Sequence, residues 1–382
     1  MRDFGKALLK GIKRVDLILF ITVAFLSMTS ILTILGSVEN FGKSKLVMQL
    51  AMTAVGTVIV FVMANLDYKF IVDRFYIYMF GASVLLLVLT LILGNTGVNM
   101  DTANKSWIKI PFIGISVQPS EFVKLAFLCT FSKHIDTVKD KMNKPLCLLG
   151  LLAHAGVIIG LILLSGDLGV ALVYVGVMMI MLFCGGLSLW YFLAMGVTAV
   201  VSFPFLWDLL APYQQKRIVY GFQPHLDPSG VGLQPLMSRE TIARGGFFGI
   251  GLFGPGMYED LAASHTDFIF ATICEKFGFF GGVLVVIALV VLAVRLIVIG
   301  IRCKGTVGKL ICCGCGAIVI VQTLENLWMC LALVPVVGIT LPFLSCGGSS
   351  VLAMYLLVGL AHSVAAYEKR FHFKRKESIS LA

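Results

Sequence analysis

The sequence predicts an all-α integral membrane protein of about ten transmembrane helices, with a large extracytoplasmic loop, about 208–266, between the seventh and the eighth. Three observations carry this expectation. Of 382 residues, 59% are hydrophobic and 13% charged, whereas a soluble domain is about one quarter charged. Uninterrupted apolar runs of about 20 residues, the length that crosses a bilayer, recur along the chain. Basic residues gather at the two ends (Arg2, Lys6, Lys10, Lys13, Arg14; Lys369, Arg370, Lys374, Arg375, Lys376) and in short loops, as the cytoplasmic excess of Lys and Arg requires. That placement also answers the net charge of +10. With no basic face carrying aromatic readers, nucleic acid is excluded as a partner, and membrane lipid is the surrounding one.

The chain 1–382 reads as a single polytopic domain without internal repeats. The first apolar run, 15–36, is too long for the core of a signal peptide and lacks a small-residue cleavage site, so it is the first span, with the N-terminus cytoplasmic. A short outer loop leads to span two (45–64). The polar turn 65–74 returns the chain inside to span three (75–93), and an outer loop, 94–117, precedes span four (118–134). Lys133, Lys139, Lys141 and Lys144 mark the next inner loop. Spans five (146–164) and six (168–184) are joined outside by Ser165-Gly-Asp-Leu-Gly169, and span seven (187–207) leads into the long loop. Span eight, about 267–301, exceeds one crossing, so its first part should project or tilt. Spans nine (310–333) and ten (345–367) flank the outer Pro342–Ser350 segment, and both termini lie inside. The ten cysteines fall mostly in apolar runs, and the Cys312, Cys313, Cys315 cluster lacks a second pair at ligand spacing. Buried thiols are expected there, not a metal site.

The residues with chemistry converge on the outer face. Asp267 stands at the mouth of span eight, where a charge is costly to desolvate and functional by default. His265 is two residues away and does not share its face, so Asp267 is expected to act alone. Glu275 and Lys276 lie about two turns deeper, Glu275 open to a basic partner. Glu121 and Lys124, three apart after Gln118-Pro119-Ser120, share a helix face. They either neutralise one another or handle substrate. Asp167 is a helix cap or a site residue, and Trp107 an interfacial anchor or a sugar platform. Arg217 and Arg244 can grip phosphate oxygens with a guanidinium fork. Gly245-Gly-Phe-Phe-Gly-Ile-Gly251 looks like a phosphate loop but lacks the strand and helix of one, so its glycines should serve close backbone packing. Gln322, Glu325 and Asn326 should form interhelical hydrogen bonds or line a cavity.

At these residues the chain resembles the SEDS family (shape, elongation, division and sporulation), the RodA/FtsW-type peptidoglycan polymerases of bacteria. The resemblance covers nearly the whole chain: the Trp107 loop, Gln118–Glu121 with Lys124, Asp167-Leu-Gly, the glycine-rich outer segment, His265-Thr-Asp-Phe-Ile-Phe270, and Leu341–Ser350. Three positions depart from the usual pattern: Ser106 precedes the tryptophan where arginine is common, Cys346 replaces a tyrosine, and Glu325 replaces an apolar residue.

The resemblance implies a bacterial cytoplasmic-membrane enzyme that polymerises lipid II into glycan strands, with Asp267 as the essential catalytic residue. It maps the family's span-four acid and base onto Glu121 and Lys124 and implies a class B penicillin-binding protein transpeptidase as partner; with those two, Trp107, Asp167, Arg217, Arg244, His265, Ser345 and Ser349 are the candidate substrate-binding residues. Chemistry agrees. The outer face has no nucleotide sugars, so the donor must arrive activated on a lipid. Inversion at an α-linked diphosphate lets one carboxylate serve as base, help worth about 10²–10⁴-fold. The leaving diphosphate needs positive charge, from Arg217, Arg244 and Lys124 or from a divalent cation such as Mg or Mn. The rival readings are a flippase for the lipid-linked precursor, which needs charges open to both faces, and a scaffold that only recruits a transpeptidase.

Overall fold

The computed structural model describes residues 15–94, 105–109, 116–209 and 212–380. Its helices are α1 (Leu17–Leu35), α2 (Lys43–Met63), α3 (Tyr68–Leu93), α4 (Pro119–Val138), α5 (Pro145–Leu164), α6 (Leu168–Gly185), α7 (Leu189–Leu209), α8 (Pro212–Phe222), α9 (Leu233–Arg244), α10 (Ile269–Arg302), α11 (Thr306–Cys330) and α12 (Gly348–Ser380). A two-stranded antiparallel ribbon pairs β1 (Ile108–Lys109) with β2 (Ser116–Val117), Ile108 opposite Val117. The protein is thus an all-α bundle.

Eight of these helices are long and apolar enough to cross a membrane. Of the sequence's ten, α4 falls short because Glu121, Lys124, Lys133 and Asp136 sit on it, and the apolar part of α7 ends at Phe205. The charges of α4 are paired: Lys124 with Glu121 at 2.7 Å, Lys133 with Asp73 at 2.5 Å, Lys139 with Asp136 at 3.5 Å.

Two boundaries differ from the sequence reading. The third helix starts at Tyr68 rather than at 75, because Asp67 accepts hydrogen bonds from the Lys69 and Phe70 amides and caps it. The eighth is not one continuous span. Gly278 takes φ 71°, ψ −170° inside α10 and divides it into a short piece, 269–277, and a spanning piece, 279–302.

The glycine-rich segment closes that break. The Ile250 and Gly251 amides donate to the Glu275 and Lys276 carbonyls (2.9 and 3.2 Å), while the Phe279 and Phe280 amides donate to Gly246 and Phe247 (2.8 and 3.3 Å). A side chain on Gly245 or Gly249 would strike the Cys274 or Lys276 carbonyl. These glycines therefore serve close backbone docking, as expected.

The bundle has two distinct ends. At one, Arg295 grips Asp16 (3.0 and 2.5 Å), Ser363 donates to the Leu66 carbonyl (2.8 Å), Lys139 donates to the Thr306 hydroxyl (3.4 Å), and the Tyr191 hydroxyl donates to the Asn143 carbonyl (2.6 Å). At the other lie the ends of α1, α3 and α5 and the starts of α2, α4, α6, α10 and α12. They are joined by Lys276 to the Gly36 carbonyl (3.1 Å), Lys105 to the Ser165 carbonyl (3.0 Å), and Cys346 to the His265 carbonyl (2.8 Å). Between the ends α12 is the most enclosed of the spanning helices and α11 the next, and the glycines of α11 admit close neighbours: Gly314 faces Leu128 and Met181, Gly316 faces Ile297. Cys312, Cys313 and Cys315 are buried free thiols.

Candidate active site

Asp267 lies in the turn before α10, half-buried. Three neighbours hold that turn by its backbone. Asn326 on α11 donates from Nδ2 to the Asp267 carbonyl (2.7 Å) and to the Ile339 carbonyl (2.6 Å). Ser345 donates to the Thr266 carbonyl and accepts from the Leu341 amide, both at 2.7 Å. The Cys346 amide donates to the His265 carbonyl. The carboxylate itself is not consumed in this scaffolding, and Gly338, with φ 68°, passes close enough that a Cβ there would sit 3.3 Å from Oδ2.

Burial raises the Asp267 carboxyl to about 6. The nearby charge of Asp167 adds to this, and a hydrogen bond from Thr266 opposes it. A carboxylate poised near neutrality is suited to take a proton from a hydroxyl. Asp167 caps α6 through the Val170 amide (3.1 Å) and accepts from Gln118 Nε2 (2.8 Å). Burial raises it as well, against those two bonds, and Glu121 adds a like charge. Cap and site neighbour are therefore the same residue.

Glu121 and Lys124 form the pair their spacing implied, at 2.7 Å and nearly inaccessible at 3% each. His265 packs at a tilt against Phe41 with ring centroids 5.2 Å apart, and burial followed by the charge of Lys45 pushes it down to about 4. A ring held that low favours the neutral form, and the ring packs on Phe41. Ser345 is buried with its hydroxyl engaged in both directions, so it shapes the turn rather than offering a group to a ligand. Ser349 accepts a long bond, 3.5 Å, from the Gln118 amide. Trp107 is half-buried beside the β-ribbon.

Arg244 reaches Glu275 at 3.6 Å and stays 53% exposed. Glu275 also accepts from the Met257 and Tyr258 amides (2.8 and 2.9 Å), and Lys276 donates to the Leu252 carbonyl (2.8 Å) while lying 4.2 Å over the Tyr258 ring. These two buried charges fasten the outer segment to α10. The Arg217 side chain lies outside the described residues, as do 95–104 and 110–115 of the Trp107 loop. Asn326, an amide within an apolar helix, makes the kind of hydrogen bonds the sequence suggested. Gln118, read only as part of the span-four motif, and Gly338 join the site without a signal of their own.

A multi-pass helical bundle with a reactive, half-buried carboxylate at one end defines a membrane-embedded enzyme. The sequence profile of the cell cycle protein family FtsW/RodA/SpoVE matches residues 12–370, and the chain belongs to that family. It is 33% identical to the probable peptidoglycan glycosyltransferase FtsW of Trichlorobacter lovleyi, over 92% of this chain and 93% of that one. It is likewise 33% identical to the stage V sporulation protein E of Bacillus subtilis, over 84% and 87%. Among solved structures, a chain of a peptidoglycan synthase complex that coordinates polymerization and crosslinking superposes with a TM-score of 0.77 at 28% identity, covering 92% of this chain and 98% of that one. The rod shape determining protein RodA of Thermus thermophilus shares the fold, with a TM-score of 0.69 at 23% identity over 92% and 97%.

Proposed function

We infer that the relatives' activity extends to this chain: it is a peptidoglycan glycosyltransferase of cell-wall synthesis that polymerises lipid II at the outer face of the bacterial cytoplasmic membrane, with Asp267 as general base. The observation that carries the reading is the state of Asp267. Its turn is fixed by three backbone bonds from α11 and the 341–346 segment, while its carboxylate stays available and raised. The base accepts the proton of the attacking sugar hydroxyl as that oxygen bonds to the anomeric carbon, and the lipid diphosphate departs with the electron pair of the broken bond.

Positive charge must meet that diphosphate. Arg244, half exposed and held loosely by Glu275, is a described cation able to serve there, whereas Lys124 is already neutralised by Glu121. Among the described residues no three His, Cys, Asp or Glu side chains converge to hold a metal, so no step is derived through one. The orientation follows from charge. The basic residues Lys133, Lys139, Arg295 and Arg302 at one end support a cytoplasmic reading of that end, with both termini inside and Asp267 outside. Such clustering of the reactive groups at one end favours an enzyme over a carrier. The protein works beside a class B penicillin-binding protein transpeptidase, a reading supported by the synthase complex that it resembles.

The decisive experiment incubates the purified full-length protein with lipid II and resolves glycan strands, alone and with the transpeptidase. Asp267→Asn should lose at least about 10²-fold in rate while eluting as a monodisperse, folded protein. Strands from that variant at the native rate would remove the assignment.

A further inference from the structure

At the bundle end opposite Asp267, where Ser363 meets the Leu66 carbonyl, lies an open cavity of about 340 Å³. Asp67, Lys69, Phe70, Asp73 and Arg74 line it from the start of α3, and Tyr367 lines it from α12. Its two acids are already engaged. Asp67 accepts from the Lys69 and Phe70 amides at 3.0 and 3.1 Å, and Asp73 accepts from Lys133 of α4 at 2.5 Å. Its two bases are not. The Lys69 and Arg74 side chains are exposed, and among the described residues neither forms an ion pair. Lys69, Arg74 and Lys133 against Asp67 and Asp73 leave an excess of one positive charge. That excess matches the single negative charge of a phosphodiester.

The surface of α3 continues from the cavity in a definite order. Phe70, Phe75 and Tyr78, all exposed, form an aromatic ladder with ring centroids 6.4 and 6.5 Å apart. Further along, Leu85, Leu89 and Ile92 stand exposed on the helix face that carries Phe70, Arg74 and Tyr78. Gly81 lies on the same face, with nothing within 4 Å of an added Cβ, and so leaves a notch between rings and aliphatic stripe. Cations, then rings, then a notched apolar stripe repeat the order of a phospholipid: headgroup, interface, acyl chain. A small soluble anion has no use for the last two. Nor do the chain's own ends complement the cavity, since both are basic (Arg2, Lys6, Lys10; Lys374, Arg375, Lys376).

We propose that this cavity and stripe bind one anionic phospholipid of the adjoining leaflet, its phosphate held by Lys69 and Arg74 and an acyl chain laid along α3. The guanidinium of Arg74 matches two phosphate oxygens, and Lys69 adds a point charge. A headgroup seated there touches α3 and Tyr367 of α12 beside the α4 lysine that holds Asp73, so it ties three helices together. In the orientation inferred above, that leaflet is the cytoplasmic one. The site stands apart from Asp267 and does not depend on the reaction.

The test uses the full-length protein in neutral detergent micelles that carry phosphatidylglycerol or, as the zwitterionic control, phosphatidylcholine. Phosphatidylglycerol should raise the melting temperature along a saturable titration and stay bound in native mass spectrometry; phosphatidylcholine should do neither. Each basic group beside anionic lipid is worth about fivefold in affinity, so Lys69→Gln/Arg74→Gln should move the titration midpoint about 25-fold. Lys141→Gln/Lys144→Gln removes the same charge from exposed positions at that end and should leave the midpoint where it is. All four changes are at the surface, and a single monodisperse elution peak checks that both variants fold. Inorganic phosphate, which offers the charge without the chain, should not replace the lipid. Equal stabilisation by the two lipids, an unmoved midpoint in the Lys69/Arg74 variant, an equal loss in the Lys141/Lys144 variant, or replacement by inorganic phosphate each overturns the proposal.

Discussion

Asp267 combines a fixed backbone with an uncommitted carboxylate, and that combination has opposite effects on rate and on stability. Its folded pKa, about 6, lies above the ordinary 3.8 because of burial first and Asp167 second. Between those values the folded protein binds more protons at this group than the unfolded chain does, so its contribution to stability falls as pH rises through that window. The polymerisation rate should do the reverse and climb through about pH 6. Asp267→Asn should accordingly melt no lower, and above pH 6 higher, than the native protein, followed by intrinsic fluorescence in detergent; a lower melting temperature there would mean that the carboxylate is structural. At this scale the sequence spoke clearly where spacing alone decides. Glu121 and Lys124 share a helix face by their separation, and a charge at the mouth of a span announces itself. It foretold hydrogen bonds from Asn326 but was silent about the partners of Asn326, Gln118 and Gly338, which depend on which distant turn each one meets. Ser345 shows what a motif leaves out: its hydroxyl bonds two backbone groups, which its place in the sequence did not announce.

Among the elements, α10 is the most informative. Its length foretold a first part that departs from the span, but the position and the cause of the break were not readable. Gly278 is one glycine among many, and the partners that fill the interrupted ladder come from 245–251. Only glycine rests easily at the conformation of Gly278, and a Cβ there would also meet the Phe247 carbonyl and the Gly249 amide. Gly278→Ala should therefore cost about 1–3 kcal/mol and lower the melting temperature. Gly160→Ala, in the middle of α5 with nothing within 4 Å of the added carbon, should change it little or raise it. Equal effects of the two would show that the docked loop contributes nothing. The early start of α3 has a similar lesson. Lys69, Asp73 and Arg74 depress the hydropathy of its first turns, and hydropathy hid a helix that the Asp67 cap had already begun.

For the whole molecule, the alternation of helices was readable because apolar length and basic loops are properties of composition. The packing order was not. Which spans touch depends on small residues, such as Gly314 against Leu128 and Met181, that any helix could carry. The orientation is open to a direct test. Alkaline phosphatase, active only outside the cytoplasm, should be active when fused after residue 230 and inactive when fused after residue 141. The reverse pattern would place Asp267 on the wrong side of the membrane for lipid-borne sugar chemistry.

The division of α10 has a mechanical consequence. Residues 269–277 are fastened to the outer segment by two main-chain bonds and by the buried side chains of Glu275 and Lys276, and the first two amides of 279–302 add two more before that piece enters the bundle. The turn that carries Asp267 is therefore joined to the glycine-rich segment through a short helix hinged at a single glycine, and to α11 through Asn326. Whatever grips that segment pulls on the carboxylate through one short helix, with the amide of Asn326 as the restraint on the other side.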